Sequence, residues 1–183
     1  KGPGVCQGIG TANTMHVACE ALGFCLPGTT PVLANSEAMW DAVRAASRRI
    51  LEMVDEDLKP RDILTPGAFA NCVKAVLAVS GSLNAMKHIQ AVAHAAQSDV
   101  DVFKMFDDFS TDIPLLTGIR PNGDHFIDDF DAAGGTLALM KQLESKLDGS
   151  AINVNGKSVG DNLKGAVVRD EEIIRPLNRP LNT

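Results

Sequence analysis

The chain has 183 residues, 45% of them apolar, and a formal net charge of −6 from 23 carboxylates against 17 lysines and arginines. That is enough for one domain with a substantial core, which at this length buries roughly 70% of the surface its unfolded form exposes. The acidic balance, with no Lys/Arg stripe interleaved with aromatics, argues against nucleic acid as a partner. No apolar run approaches a membrane span and no signal peptide is visible, so soluble cytoplasm is the default expectation.

The stretch Gly4-Val-Cys-Gln-Gly-Ile-Gly-Thr-Ala-Asn-Thr-Met15 places one thiol, Cys6, in a glycine-rich loop directly before a helical pattern. Glycines let backbone approach a bound group closely, and the free N–H groups of a helix start favour a thiolate or an anion. The same stretch also suits a tight turn with a half-buried cysteine. From Thr11 to Leu22, Met15, Ala18, Cys19 and Leu22 recur at helical spacing, with Gly23 as the stop. Ser36 then caps a long helix with a stripe of Met39, Val43, Ala46, Ile50, Met53 and Val54 and a charged opposite face.

Thr65-Pro66 is a cap followed by proline at the first helical position, opening a helix through Phe69, Val73, Val76 and Leu77. Ser80-Gly81-Ser82 interrupts it, and a second helix runs through Met86, Ile89, Val92 and Ala93 to about Gln97. Short acidic helices follow near 99–112 and 124–133, and another over 136–147. Ala151-Ile-Asn-Val-Asn-Gly156 alternates and ends in Asn-Gly, the best strand and turn; Val167-Val168 and Ile173-Ile174 are further extended candidates. The resulting fold class is helix-rich α/β, with a small, mostly parallel sheet covered by the helices near 36–57 and 66–97. Met39, Val43, Ile50, Phe69, Val73, Val76, Ile89 and Val92 are expected to be buried.

Other chemistry is thinly represented. Cys6, Cys19, Cys25 and Cys72 match no zinc spacing and read as free thiols. Cys19 and Cys72 fall in helical patterns and read as packing residues, while Cys25, in a loop, is the expected site of adventitious oxidation. The clusters Asp107-Asp108, Asp112 and Asp128-Asp129-Asp131 lack calcium-loop spacing and read as solvated helix starts. His88 and His94 lie six residues apart, off a common face. His16, on the first helical turns, is a candidate to face the Cys6 site or the surface. Gly8-Ile-Gly10 lacks the strand and third glycine of a dinucleotide fingerprint.

Taken together, the Cys6 loop resembles the third cysteine motif of the dihydroxy-acid dehydratase and phosphogluconate dehydratase family, which includes sugar-acid dehydratases. Further similar segments follow in the family's order: Glu20-Ala-Leu-Gly-Phe-Cys-Leu-Pro-Gly28, Leu58-Lys-Pro-Arg-Asp-Ile-Leu-Thr65 and Ser80-Gly-Ser-Leu-Asn-Ala-Met-Lys-His88. Ile113-Pro-Leu-Leu116, Asp128-Asp-Phe-Asp-Ala-Ala-Gly-Gly135, Val154-Asn-Gly-Lys157 and Ile174-Arg-Pro-Leu177 extend the likeness to roughly residues 4–181. Within it, Ser80 replaces a glycine and Leu83 a threonine of the family's Gly-Gly-Ser-Thr-Asn loop, which implies an altered pocket or substrate.

What the resemblance implies is a hydro-lyase converting a 2,3-dihydroxy acid into a 2-keto acid. It implies an iron-sulfur cluster, 2Fe-2S or 4Fe-4S, as Lewis acid, with Cys6 as its third ligand, and Mg2+ holding the substrate carboxylate. Gln7, Thr11, Asn13, Ser82 and Asn84 are the candidates for the pocket. The other cluster cysteines and the serine base of the family have no counterpart here, and family members are much longer. Residues 1–160 thus read as part of the N-terminal cluster-binding domain and 161–183 as a linker towards a C-terminal domain, which is an expected partner along with a second copy in a homodimer. Asn13-Thr14-Met15 resembles the branched-chain dihydroxy-acid enzymes, whereas Gly10 leans towards the sugar-acid ones. The alternative is a non-catalytic relative acting as a small-molecule or protein-binding module.

Overall fold

The computed structural model describes residues 3–182. Its helices are α1 (Thr11–Ala21), α2 (Glu37–Asp55), α3 (Pro60–Ile63), α4 (Pro66–Ala78), α5 (Asn84–Ala95), α6 (Val102–Phe109), α7 (Ile127–Ala132), α8 (Gly135–Gln142) and α9 (Val159–Leu163), with a 3₁₀ turn at Glu144–Lys146. The centre is α4. Its sequence is apolar nearly all round, and a helix of that kind is stable only when surrounded. Ala68, Phe69, Asn71, Cys72, Val73, Ala75, Val76 and Ala78 are accordingly buried, and α1, α6 and α8 pack on it.

Side chains set the helix starts. Ser36 Oγ accepts from Met39 N at 3.1 Å, Thr65 Oγ1 from Ala68 N at 3.2 Å with Pro66 in the first turn, and Asp101 Oδ1 from Lys104 N at 3.0 Å. Each satisfies one of the N–H groups that a helix start leaves without an intrahelical partner. Asn71, buried inside α4, is paired at both ends of its amide: its Nδ2 donates to Asp148 O and its Oδ1 accepts from Asp148 N. A buried amide without such partners would cost about 1–3 kcal/mol.

Two expectations are corrected. No sheet is present among the described residues; extended pairing is confined to the isolated bridges Ile119 to His125 and Ile152 to Ser158. The alternating segment at 151–156 closes on itself, with Asn153 N donating to Lys157 O and Val159 N to Ala151 O, rather than meeting a neighbouring strand. Val167-Val168 and Ile173-Ile174 lie in irregular chain whose backbone bonds reach loops and helix ends, such as Arg169 N to Ala133 O. Helix-on-helix burial fills the core instead.

The second correction concerns α2, which stands outside the nest of packed helices. Phe69, Val73, Val76 and Ile89 are buried as expected, but Val92 and Met39 are only half-buried and Val43 and Ile50 are 49% and 57% exposed. Periodicity identified the apolar face of α2 correctly; in this chain that face is open, flanking a groove floored by Phe24, Leu26, Val32 and Met53. Residues 161–182 contain only the last turns of α9 yet are tied down, with Ile174 buried and Arg175 N and Leu181 N donating to Leu116 O and Leu115 O.

Candidate functional site

Ile9 roots the cysteine loop: its side chain is buried, and its N–H donates to Arg120 O at 2.8 Å. On the other side Gln7 O accepts from Ile127 N at 2.8 Å, at the start of α7. Gly8 is required by this docking, because a β-carbon there would run into the Arg120 carbonyl. The loop is therefore held against the Arg120–Phe126 turn by backbone contacts that no larger residue at position 8 allows. Between these anchors Cys6 and Gln7 stay exposed. Gly8 N lies 3.4 Å from Cys6 Sγ, a donor aimed at the sulfur.

Cys6, Gln7, Gly8 and Gly10 form one wall of an open cleft of about 570 Å³, and Arg120, Pro121, Gly123, Asp124 and Phe126 form the other. Of the expected pocket residues, Cys6 and Gln7 are on this cleft. Asn13 is not: it is 2% exposed and its amide is bonded to the Cys6 and Gly8 carbonyls, so it supports the loop from beneath.

Thr11, Ser82 and Asn84 come together away from the cleft lining. Thr11 Oγ1 is 3.1 Å from Ser82 Oγ and accepts from Asn84 Nδ2 at 3.0 Å, while Ser82 N donates to Thr14 Oγ1 at 2.9 Å. The α4–α5 connection is thereby stitched to the first turn of α1. Leu83, where the resembling loop has threonine, is 81% exposed beside this cluster. His16 is exposed on α1 and lines neither feature.

The remaining cysteines differ sharply from Cys6. Cys72 is fully buried and Cys19 half-buried, and burial raises both thiol pKa values. Cys25, expected as the oxidation-prone thiol, is pushed up to about 12 by burial, with Cys19 and Glu20 adding to the effect. The thiolate is the reactive form, so burial works against oxidation of this half-buried loop cysteine. One carboxylate of each acidic group is spent on structure: Asp108 pairs with Lys104, Asp112 with Lys146, and Asp129 Oδ2 accepts from Phe126 N. No group of three or more His, Cys, Asp or Glu able to hold a metal exists among the described residues. No helix of the described residues is long and apolar enough to cross a membrane.

The second wall of the cleft escaped sequence reading. Pro121-Asn122-Gly123 signals a turn, but nothing in the spacing tells that this turn lies against Gly8.

Residues 1–162 match the family described as Dihydroxy-acid/6-phosphogluconate dehydratase N-terminal. Among curated proteins the chain is 40% identical over 182 residues to a dihydroxy-acid dehydratase of Ignicoccus hospitalis, covering 98% of the chain and 33% of that relative. It is 39% identical over 183 residues to one of Oleidesulfovibrio alaskensis, covering 98% and 33%, and 38% identical over 182 residues to one of Methanothermobacter thermautotrophicus, covering 100% and 33%. The chain thus spans about a third of the length of the curated relatives it matches. With the family match running over the whole cysteine loop, both cleft walls and the helices that carry them, the chain belongs to the dihydroxy-acid/6-phosphogluconate dehydratase family.

Proposed function

We propose that this chain forms part of a hydro-lyase that removes water from a 2,3-dihydroxy acid, either a branched-chain dihydroxy acid or an aldonate, giving a 2-keto acid, with Cys6 as one thiolate ligand of an iron-sulfur cluster. The observation that carries the reading is the presentation of Cys6: exposed, on a loop pinned on both sides, with Gly8 N–H directed at its sulfur and an open cleft beside it. Backbone N–H donation to a sulfur stabilises a thiolate and tunes a bound cluster. The donor set fits one corner of such a cluster, since Cys19, Cys25 and Cys72 are not on the cleft. The remaining ligands, and those for Mg2+, belong to residues other than 3–182.

When bound, a cluster iron with an open position supplies a Lewis acid for the departing hydroxyl. The residues of this chain do the rest of what can be assigned here. Ile9 and the Ile127 N–H keep the loop in place, Asn13 holds its carbonyls, and the cleft admits an acid of a few carbons. The proton-abstracting base is not among the residues assigned.

The test uses the complete gene product, loaded anaerobically with iron and sulfide, with 2-keto acid formation and cluster absorbance followed together. Cys6→Ser is expected to abolish turnover and diminish the cluster signal, and the 183-residue chain alone is expected to show no turnover. Full cluster content and activity in Cys6→Ser would refute the assignment.

A further inference from the structure

A separate cavity of about 150 Å³ lies where α7 ends and α8 begins, and it shares no lining residue with the Cys6 cleft. Asp131 reaches its lining from the last turn of α7, and Arg169 from the irregular chain after α9, where the Arg169 N–H is tied to Ala133 O at 2.9 Å. Among the described residues the Asp131 carboxylate accepts no hydrogen bond, the Arg169 guanidinium donates none, and neither joins an ion pair. Asp108, Asp112 and Asp161, by contrast, each have a lysine partner. Burial and the nearby Asp128 push the Asp131 pKa above the ordinary carboxylate value, and Arg169 acts in the opposite sense. Two opposite charges thus share the lining of one small cavity without closing on each other.

A half-buried carboxylate without a donor and a guanidinium without an acceptor each carry an unmet demand. The guanidinium fork takes a carboxylate in two parallel hydrogen bonds, and the carboxylate takes an ammonium in charge-assisted ones. A molecule with both groups on one carbon satisfies both residues at once. The start of α8 favours the anionic half, since Gly134 offers no side-chain cap and the positive end of a helix attracts negative charge. Leu137, Ala138, Ala166 and Val167 supply the apolar part of the lining, which suits a short aliphatic chain and disfavours a third charge. The volume is about five times the share of one water in the liquid, room for a compact acid of few carbons. A zwitterion also escapes the long-range repulsion that a chain of net charge −6 exerts on a simple acid.

We propose that this cavity binds a small α-amino acid with a short aliphatic side chain, its carboxylate on Arg169 and its ammonium on Asp131. The site does not rest on the reaction proposed above, because none of the residues given a part in that reaction lines it. A hydroxy acid lacks the ammonium and satisfies only the Arg169 half.

Equilibrium dialysis of radiolabelled L-2-aminobutanoate against the complete gene product decides the matter. Saturable retention is expected, with 2-hydroxybutanoate and 1-aminopropane, each lacking one of the two charges, displacing the label about tenfold less well than unlabelled L-2-aminobutanoate or worse. Asp131→Asn and Arg169→Gln are each expected to weaken binding about tenfold or more. Arg169 is exposed, so its replacement leaves the core intact and keeps the test decisive whatever Asp131→Asn does to folding. No saturable retention, equal displacement by the hydroxy acid or the amine, or undiminished binding in Arg169→Gln would overturn the proposal. Cys6→Ser, expected to abolish turnover, is expected to leave the label bound. Retention lost in Cys6→Ser and kept in Arg169→Gln would place the ligand in the Cys6 cleft and likewise overturn it.

Discussion

The Asn13 amide donates to Cys6 O at 2.6 Å and to Gly8 O at 2.7 Å, so one buried side chain from the first turn of α1 fixes the backbone on both sides of the exposed thiol. Both amide protons go to carbonyls that would otherwise be under-satisfied at the base of the loop. Aspartate is nearly the same size but has nothing to donate when ionised, and would place a charge against two carbonyl oxygens. Asn13→Asp is therefore expected to cost about 2–3 kcal/mol, measured as a shift in the urea unfolding midpoint at unchanged slope. A loss under about 0.5 kcal/mol, the range of inconsequential surface changes, would show that the loop is held mainly by its other contacts.

Gly81 carries the second close approach. A β-carbon there would lie 2.6 Å from Thr14 Cγ2 and 2.9 Å from Val76 Cγ1, between α1 and α4. Both neighbours are buried, so neither side chain can swing into solvent. Gly81→Ala is expected to destabilise by about 1–3 kcal/mol, the usual cost of overpacking. It should also disturb the Ser82 N to Thr14 Oγ1 hydrogen bond, seen as loss of amide-exchange protection at Ser82. Alanine accommodated with native stability and protection would contradict the geometry.

Glu20 gives the fold a pH dependence of defined sign. Its carboxylate is 2% exposed and accepts from Gly28 N, Thr30 N and Thr30 Oγ1. Burial outweighs these donors and raises its pKa from 4.5 to about 7. Folded Glu20 thus holds a proton more tightly than the unfolded chain does. Its stabilising contribution is complete below about pH 4.5 and is lost as the pH climbs through about 7, by something on the order of 3 kcal/mol. Unfolding free energies measured across that window should fall in the wild type and fall much less in Glu20→Gln, which cannot ionise. Parallel pH profiles for the two proteins would refute this.

The features legible in the sequence are those decided within a few residues. Ser36, Thr65-Pro66 and the Gly23 stop act through hydrogen bonds to their own helix, so spacing alone locates them. Phe69, Val73 and Val76 were legible as core because α4 is apolar on every side. The α2 stripe was legible as a stripe, but which neighbour covers it is a tertiary fact, and among the described residues Val43, Ile50 and Val54 stay exposed. Alternation at 151–156 suggested a strand, while a strand needs a partner segment that periodicity does not identify. The Cys6 loop was legible from its glycines; Arg120, in the opposite cleft wall, was not, because the two walls are far apart along the chain.

The contrast between α2 and α5 is directly measurable. Ile89 is completely buried and Ile50 is 57% exposed, although both sit on the apolar stripes of their helices. Ile89→Ala should cost about 2–5 kcal/mol, combining lost burial with the cavity left behind, whereas Ile50→Ala should stay within about 0.5 kcal/mol. Chemical denaturation of the two variants suffices, and comparable losses would mean that the α2 face is covered within this chain.

The four cysteines should react in an order set by exposure and by the cost of forming the thiolate. Cys6 is exposed on its loop; Cys19 and Cys25 are half-buried and Cys72 wholly so. Burial raises the pKa of each of the last three, with Cys25 pushed up to about 12. Only a small fraction of such thiols is ionised near neutral pH, and reagents reach them only when the fold opens. Brief treatment of the native chain with iodoacetamide, followed by mass-spectrometric mapping, should therefore place the label on the Cys6 peptide, with the other three labelled only after denaturation. Asn13→Asp, by loosening the loop, should leave Cys6 the fastest site. Preferential labelling of Cys19, Cys25 or Cys72 in the folded protein would mean that Cys6 is not the accessible thiol of the cleft, and the proposed ligand role would fall with it.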